Sequence, residues 1–197
     1  MTLEVMLSVI AIAAALAGAL SIVLASWKNG ISPMPSSAPV RRAVAAEIGR
    51  IASMRKDAVA VVDAGAGWGT LAFHLVRHCP VRTVTGIENS TVPLLASRLT
   101  ARLNRRANGP VSFEKGDLYR YPYETSDVVV CYLHPGAMKR LDAIFRSRLS
   151  PGARVVSVCF ALPGWQPERV VVCGDPQRTK VYVYARPEKE TLSGSAS

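Results

Sequence analysis

The chain has 197 residues, 49% of them hydrophobic, which suffices for one domain with a full core and an appendage. Its formal net charge of +10 suits a nucleic acid, an anionic membrane surface or an acidic protein, or else basic residues that flank a membrane segment and cover exposed helices. The four cysteines show no C-x-x-C spacing and the three histidines do not cluster with them. We therefore expect buried free thiols and no metal site.

An uncharged apolar segment runs from Val5 to Trp27, about the length that crosses a bilayer as a helix. A cleaved signal peptide is the alternative, but the basic residues that usually open one are missing. Lys28, Arg41 and Arg42 follow the segment instead. This pattern favours a single-pass membrane anchor over residues 1–28, with the rest of the protein in the cytoplasm.

Residues 29–39 are rich in Gly, Pro and Ser and are predicted to be a linker. A helical pattern opens at Pro39. One face of this helix carries Val40, Val44, Ile48 and Ile51, and the other residues include Arg41, Arg42, Glu47 and Arg50. The domain is predicted to span residues 40–186, followed by a polar, disordered tail over 187–197.

Strands and helices alternate within this domain. The predicted strands are Ala58–Asp63, Val81–Glu88, Val111–Lys115, Ser126–Tyr132 and Ala153–Phe160. The predicted helices are Thr70–His78, a helix capped by Ser90 that runs to about Asn104, and Pro135–Leu149. In the helix after Ser90 we expect Leu94, Leu95, Leu99 and Leu103 to face inward and Arg98, Arg102, Arg105 and Arg106 to face outward.

Two last strands, Arg169–Cys173 and Thr179–Ala185, are separated by too few residues for a crossover helix. They should pair as an antiparallel hairpin. The chain is therefore predicted to be an α/β protein with a doubly wound, Rossmann-like, seven-stranded sheet that ends in this hairpin. Ligands on such sheets bind beyond the carboxyl ends of the strands.

A glycine-rich turn follows the first predicted strand. Asp63 ends the strand, Gly65, Gly67 and Gly69 come next on alternate positions, and a helix begins at Thr70. Glycines allow a ligand to approach the backbone, and the first N–H groups of the helix are free to bind it. A tight turn without a ligand is the alternative, because a lone glycine-rich loop is weak evidence.

The sequence Gly65-x-Gly67-x-Gly69 after Asp63 resembles motif I of the class I, seven-β-strand S-adenosylmethionine-dependent methyltransferases, and the resemblance covers about residues 57–185. It implies that these four residues hold the methionine end of S-adenosylmethionine. An acid at Glu88, the end of the second strand, can accept hydrogen bonds from the ribose hydroxyls, as in nucleotide-binding folds generally. The alternative is an interaction of Glu88 with the dipole of the next helix.

The stretch Gly116-Asp117-Leu118 after the third strand resembles the adenine-binding turn of the same family. The resemblance implies that the Asp117 carboxylate lies near the exocyclic amine and the Leu118 N–H near a ring nitrogen. A plain turn role for Asp117 is the alternative.

Two flanking stretches resemble the protein-lysine methyltransferases of the mitochondrial ADP/ATP translocase and the ATP synthase c-subunit, with their prokaryotic relatives. These are Ser32–Ser36, a Pro-Ser element before the fold, and Leu149–Trp165, with Pro163-Gly164-Trp165 after the fifth strand. The resemblance implies that Pro35 and Ser36 close over the cofactor. The chain departs from the human members of this family in two places. Trp68 stands where an acid is common, and Tyr132-Leu133-His134-Pro135 differs from their ending of the fourth strand, so the resemblance does not identify the substrate.

Methyl transfer from a sulfonium is an in-line displacement, and a lysine acceptor must arrive unprotonated, which an apolar pocket favours. We expect the pocket wall to include Tyr132, His134, Pro135 and Trp68. Tyr132 and His134 are the catalytic candidates, because an imidazole can take a proton near neutral pH. The alternatives are that His134 only starts a helix and Tyr132 only packs.

The expected function is therefore methyl transfer to a protein lysine at or near the membrane. Transfer to a lipid, quinone or other small molecule is an alternative. A non-catalytic cofactor-binding or nucleic-acid-binding module is a third reading, but the arginines after Ser90 lack the interleaved aromatic residues that nucleic-acid binding would favour. The sequence does not indicate the oligomeric state.

Overall fold

The computed structural model describes residues 2–29, 35–55, 57–104 and 109–186. The helices in these ranges are α1 (Leu3–Asn29), α2 (Ala38–Arg55), α3 (Thr70–His78), α4 (Thr91–Leu103) and α5 (Pro135–Arg148). The strands are β1 (Val59–Ala64), β2 (Val81–Glu88), β3 (Val111–Lys115), β4 (Val128–Cys131), β5 (Arg154–Val158), β6 (Arg169–Val172) and β7 (Lys180–Ala185).

The described strands form one seven-stranded sheet in the order β3-β2-β1-β4-β5-β7-β6. Neighbours among β1 to β5 are parallel, whereas β7 runs antiparallel to both β5 and β6. The predicted fold class and the predicted closing hairpin are confirmed. The strand order reverses between β1 and β4, so the carboxyl ends of these strands flank the crevice where such sheets bind ligands.

Two apolar layers cover the sheet. Helices α2, α3 and α4 pack on one face, where the core includes Ile48 and Leu75, and α5 packs on the other, where it includes Leu141 and Phe145. All four residues of β4 are buried, so this strand is covered on both faces.

No helix was predicted between the third and fourth strands, and the structure has no full helix among the described residues there. A short 3-10 helix, Tyr123–Thr125, replaces a full helix between β3 and β4. As a result the α5 side of β2 and β3 lacks a helical cover at Thr83, Thr85 and Ser112. These side chains are polar, and the Ser112 and Thr85 hydroxyls lie 3.4 Å apart. The alternation of Thr with Val in β2 therefore separates a polar, solvent-facing side of the strand from a buried, apolar side.

Helix α4 corrects the predicted orientation of its leucines. Leu94 is buried as expected, but Leu95, Leu99 and Leu103 are 59%, 57% and 75% exposed. They lie four residues apart and so share one face, which points away from the sheet. Pro93, Leu94 and Ser97 face the sheet instead. Arg105 and Arg106 lie outside the described residues.

Helix α2 places its predicted apolar face in the core, with Val44 and Ile48 fully buried. Glu47 was predicted to lie off this face, but it is 4% exposed. Its carboxylate is paired with Arg50 at 3.0 Å and with Arg169 of β6 at 2.9 Å. A buried carboxylate requires such partners, and this pair ties α2 to the edge of the sheet.

Helix α1 contains a candidate membrane span, Leu3–Leu24, with a mean hydropathy of 2.5 and none of it buried. This candidacy rests on length and composition alone, and a signal sequence passes the same test. Residues 30–34 of the predicted linker and the predicted tail, 187–197, lie outside the described residues.

Two glycines give a matched test of packing. A Cβ on Gly86 of β2 would lie 2.6 Å from Phe113 Cδ1 and 2.8 Å from Ala66 Cβ, whereas a Cβ on Gly49 of α2 meets nothing within 4 Å. We expect Gly86→Ala to lower the free energy of unfolding by roughly 1–3 kcal/mol. Gly49→Ala should raise it by roughly 0.5–1 kcal/mol, because alanine favours the helix. Urea unfolding of both full-length variants in one detergent measures this, and equal effects would contradict the packing described.

Candidate functional site

The glycine-rich turn after β1 has a backbone that favours glycine. Gly65, Gly67 and Gly69 have φ angles of 83°, 54° and 76°. A Cβ on Gly65 would also lie 2.7 Å from Leu133 Cδ2, and one on Gly69 would lie 2.5 Å from Phe113 Cζ. Alternate glycines therefore let the chain turn sharply while side chains from β3 and the end of β4 pack beneath it.

The turn is held across the end of β2. The N–H groups of Gly65 and Ala66 both donate to the Ile87 carbonyl oxygen, at 2.9 and 3.0 Å. Gly69 then occupies the N-cap position of α3. The start of the loop is thus held by the backbone of β2.

Glu88 connects the glycine turn to the next helix. This side chain is 8% exposed. One carboxylate oxygen, Oε2, accepts a hydrogen bond from Gly67 N–H at 2.8 Å, and Oε1 accepts one from Ser90 N–H at 2.6 Å. Ser90 is the N-cap residue of α4, as predicted, although its hydroxyl makes no capping bond. Each carboxylate oxygen has a second lone pair, so Glu88 can still accept bonds from ligand hydroxyls.

Asp63 has an unsatisfied, buried carboxylate oxygen. The residue is 3% exposed, and its Oδ2 has no hydrogen-bond partner. Burial and, to a smaller extent, the nearby Glu88 carboxylate raise the pKa of Asp63 from 3.8 to about 7, although a hydrogen bond with the Ala72 backbone in α3 opposes the shift. Such a group beside a glycine turn fits a cationic or hydrogen-donating ligand, which would supply the missing partner.

The turn after β3 lies against the same edge. Gly116 N–H donates to the Glu88 carbonyl oxygen at 3.2 Å. Asp117 is exposed and accepts the Tyr119 N–H on Oδ1 at 2.9 Å, which is the turn role considered above. The Leu118 carbonyl oxygen accepts the Tyr123 hydroxyl at 2.7 Å. Asp63, Glu88 and this turn therefore lie at the carboxyl ends of three adjacent strands, β1, β2 and β3.

The two catalytic candidates follow β4. Tyr132 is half-buried on the face covered by α2, where burial and nearby Cys159 and Asp175 raise the pKa of its phenol. His134 is the N-cap residue of α5, and its carbonyl oxygen accepts the Ala137 and Met138 N–H groups at 3.0 and 3.1 Å. Both therefore have the packing and helix-starting positions considered as alternatives, and both remain at the carboxyl edge of the sheet.

The remaining predicted residues differ in their exposure. Ser36 is 8% exposed, and its carbonyl oxygen accepts a hydrogen bond from the Arg41 side chain. Pro35 is exposed, and so is Pro135, the first residue of α5. Trp68 is half-buried within the glycine turn. Residues 32–34 of the Pro-Ser element lie outside the described residues.

Cys159 was not predicted from the sequence as part of this region. It follows β5 with a φ angle of 72°, a left-handed conformation that is uncommon for any residue except glycine. Its N–H donates to the Lys180 carbonyl oxygen at 2.8 Å. Strained backbone of this kind is frequent at active sites. The predicted strand Ala153–Phe160 included Cys159, so no signal in the sequence pointed to this conformation.

Two solved structures with this fold contain S-adenosylmethionine or its product. An RNA methyltransferase from Salinibacter ruber in complex with S-adenosyl-L-homocysteine matches with a TM-score of 0.65 and 28% identity, covering 79% of this chain and 95% of that one. Magnesium protoporphyrin IX methyltransferase from Synechocystis with bound SAM shares the fold, with a TM-score of 0.59 and 16% identity over 76% of this chain and 80% of that one. The protein is a class I methyltransferase, and S-adenosylmethionine is its cofactor.

The sequence comparisons define the family more closely. The model of the ANTKMT methyltransferase domain matches residues 63–169, more than half of the 197 residues, so the chain belongs to this family. A protein-lysine N-methyltransferase of Saccharolobus islandicus is 27% identical over 68% of this chain and 83% of its own length. The adenine nucleotide translocase lysine N-methyltransferase of Mus musculus is 31% identical over 56% of this chain. The matched part spans only 48% of the mouse protein.

The pKa of Asp63 predicts a pH dependence of cofactor binding. S-adenosylmethionine carries a positive sulfonium, so ionisation of Asp63 should favour binding. With a pKa of about 7, calorimetric affinity should rise by about tenfold from about pH 6 to about pH 8. Asp63→Asn should bind weakly with a flatter profile, and a flat wild-type profile would contradict this role.

The free energy of unfolding should fall as pH rises between the unfolded pKa of 3.8 and about 7, because the folded protein retains a proton that the unfolded chain has lost.

Glu88→Ala tests the ribose role. Loss of the acceptor should weaken S-adenosylhomocysteine binding by roughly 1–3 kcal/mol. Glu114→Ala is the control, because Glu114 is an exposed carboxylate on the adjacent strand. Since Glu88 also holds Gly67 and Ser90, a ligand lacking the ribose hydroxyls separates the two roles. This ligand should bind the wild type weakly, and Glu88→Ala should lower its affinity little further. If the variant instead lowers its affinity as much as that of S-adenosylhomocysteine, Glu88 acts only by holding the loop.

Proposed function

We propose that this methyltransferase modifies the side chain of a lysine in a protein at or near a membrane. The observation that carries the lysine assignment is the family match over residues 63–169, together with two relatives that are both named as lysine methyltransferases. The fold and cofactor are common to many acceptors, so they do not separate a protein from a lipid or an RNA.

We further propose how the cofactor is held. Asp63 accepts from the methionine end, because its Oδ2 is buried beside the glycine turn and lacks a partner. Gly65, Gly67 and Gly69 let this end lie against the backbone. The support for Gly67 is its left-handed φ and its direct bond to Glu88.

The adenosine lies along the ends of β2 and β3 in this proposal. Glu88 accepts from the ribose hydroxyls, and Asp117 and Leu118 contact the adenine. This assignment is supported by the hydrogen bond from Gly116 N–H to the Glu88 carbonyl oxygen. This bond holds the proposed ribose-binding residue next to the proposed adenine-binding turn. Pro35 and Ser36 precede α2 and close over the bound cofactor.

Bound S-adenosylmethionine supplies the activated methyl group, and the chain must present a neutral amine in line with it. The Tyr132 hydroxyl suits this task because a phenol is protonated at neutral pH, so its oxygen can receive a bond from the lysine nitrogen without adding charge. His134, at the start of α5, can accept the proton that the ammonium must lose. We propose these two as the acceptor-side residues.

We propose that α1 anchors the enzyme in a membrane with the domain in the cytoplasm. The support is the 22-residue apolar span, of which none is buried against the domain. Basic residues that follow it, including Arg41 and Arg42, favour this orientation. An anchored domain would meet substrates at the membrane surface.

Transfer of a labelled methyl group tests the proposed acceptor. Full-length enzyme in lipid nanodiscs, incubated with methyl-labelled S-adenosylmethionine and a membrane fraction of its own organism, should label a protein band that yields methylated lysine on hydrolysis. Gly67→Arg should give no labelling, since no side chain fits between the turn and the ligand. Gly174→Arg is the control, because a Cβ there meets nothing within 4 Å.

The distribution of the label decides between acceptors. Label confined to the lipid extract would support a lipid or quinone acceptor and contradict the proposal. Label removed by ribonuclease would point to RNA, the acceptor named for the Salinibacter ruber relative. Cofactor binding without labelling of any fraction would indicate a non-catalytic module.

A further inference from the structure

Helix α4 presents an apolar stripe that the rest of the described chain leaves uncovered. The stripe consists of Leu95, Leu99 and Leu103, which are 59%, 57% and 75% exposed. Contiguous apolar surface on a helix usually marks a partner or a membrane, whereas single exposed leucines need no explanation. This stripe is regular, since its members recur every four residues.

The same helix is basic. Arg98 and Arg102 are exposed and α4 contains no acidic residue. The Arg98 Nε donates to the Phe113 carbonyl oxygen at 2.9 Å, so this side chain is held beside the helix. Leucines on one side with arginines at the border are the pattern of helices that lie in the plane of an anionic membrane surface.

The position of α4 is consistent with such a surface, because α4 contacts α1. Among residues 3–24 of α1, the half-buried ones are Gly18, Ser21 and Ile22, in the last third of the candidate span Leu3–Leu24. A helix beside this part of a span that ends at Leu24 lies near the membrane–water boundary.

We propose that the Leu95–Leu99–Leu103 stripe of α4 lies in the headgroup region of an anionic lipid bilayer, with Arg98 and Arg102 against the lipid phosphates. This proposal rests on the proposed anchoring by α1, and it adds a second contact that fixes the orientation of the domain. A second copy of the chain fits the stripe less well. Pairing two such faces would bring their arginines together in a chain that already carries a net charge of +10.

Hydrogen exchange on the full-length protein tests the contact. The protein is reconstituted in vesicles of phosphatidylcholine alone or of phosphatidylcholine with an equal part of phosphatidylglycerol. Exchange of the amides of residues 91–104 should be several-fold slower in the anionic vesicles. Arg102→Gln should remove about fivefold of this protection, the effect of one basic residue at an anionic surface, and Leu99→Gln should reduce it too. Met54→Gln is the control, because Met54 is 54% exposed on α2.

The readouts separate this inference from the anchoring. Protection of α1 together with flotation of the protein, but no effect of lipid charge on α4, would overturn the α4 contact and leave the anchoring intact. Loss of α1 protection and of flotation with phosphatidylcholine vesicles would reject the anchoring. Flotation and α4 protection with the anionic vesicles alone would then still support this contact. Protection that rises with protein concentration and ignores lipid charge would assign the stripe to a second copy and overturn the proposal.

Discussion

The hydrogen bonds of buried Glu88 are the interactions on which the candidate functional edge of the sheet depends. Its two oxygens receive the N–H groups of Gly67 and Ser90, and its own carbonyl oxygen receives the N–H of Gly116. The glycine turn, the start of α4 and the turn after β3 are therefore fixed to one residue at the end of β2. Two of these N–H groups would otherwise be unpaired at a buried site, which costs about 1–3 kcal/mol each.

This arrangement has an electrostatic consequence for the neighbouring strand. A charge fixed on Glu88 opposes a second charge on Asp63, and burial opposes it more strongly, so the pKa of Asp63 rises to about 7. Below this pKa the Asp63 carboxyl is protonated, so the negative charge at the end of β1 is lost. This is the point where we propose that the positively charged end of the cofactor binds. A ligand that brings its own positive charge offsets the cost of ionising Asp63, and this favours S-adenosylmethionine, a cationic sulfonium, over its neutral thioether product.

The sequence predicted this edge of the sheet well and other parts less well. The predicted bounds of α3 and β2 agree with the structure, at Thr70–His78 and Val81–Glu88. Acids, glycines and prolines mark these boundaries in the sequence. Glu47 was misplaced because its partner Arg169 lies 122 residues away, and no local pattern reports such a pair. The conformation of Cys159 was equally hidden, since it depends on how β5 meets β7 rather than on the residue itself.

The leucines of α4 show why periodicity alone does not give orientation. A stripe at four-residue spacing reports that a face is apolar, but it does not report what covers that face. The sheet beneath α4 is already covered by Leu94 and Ser97, and the opposite side of the same strands exposes Thr83 and Ser112. The β2–β3 edge is therefore apolar on its outer helical side and polar on its other side. If α1 spans a bilayer, the apolar α4 side can contact lipid while the polar threonine side contacts water. In this orientation the carboxyl edge of the sheet lies along the membrane surface.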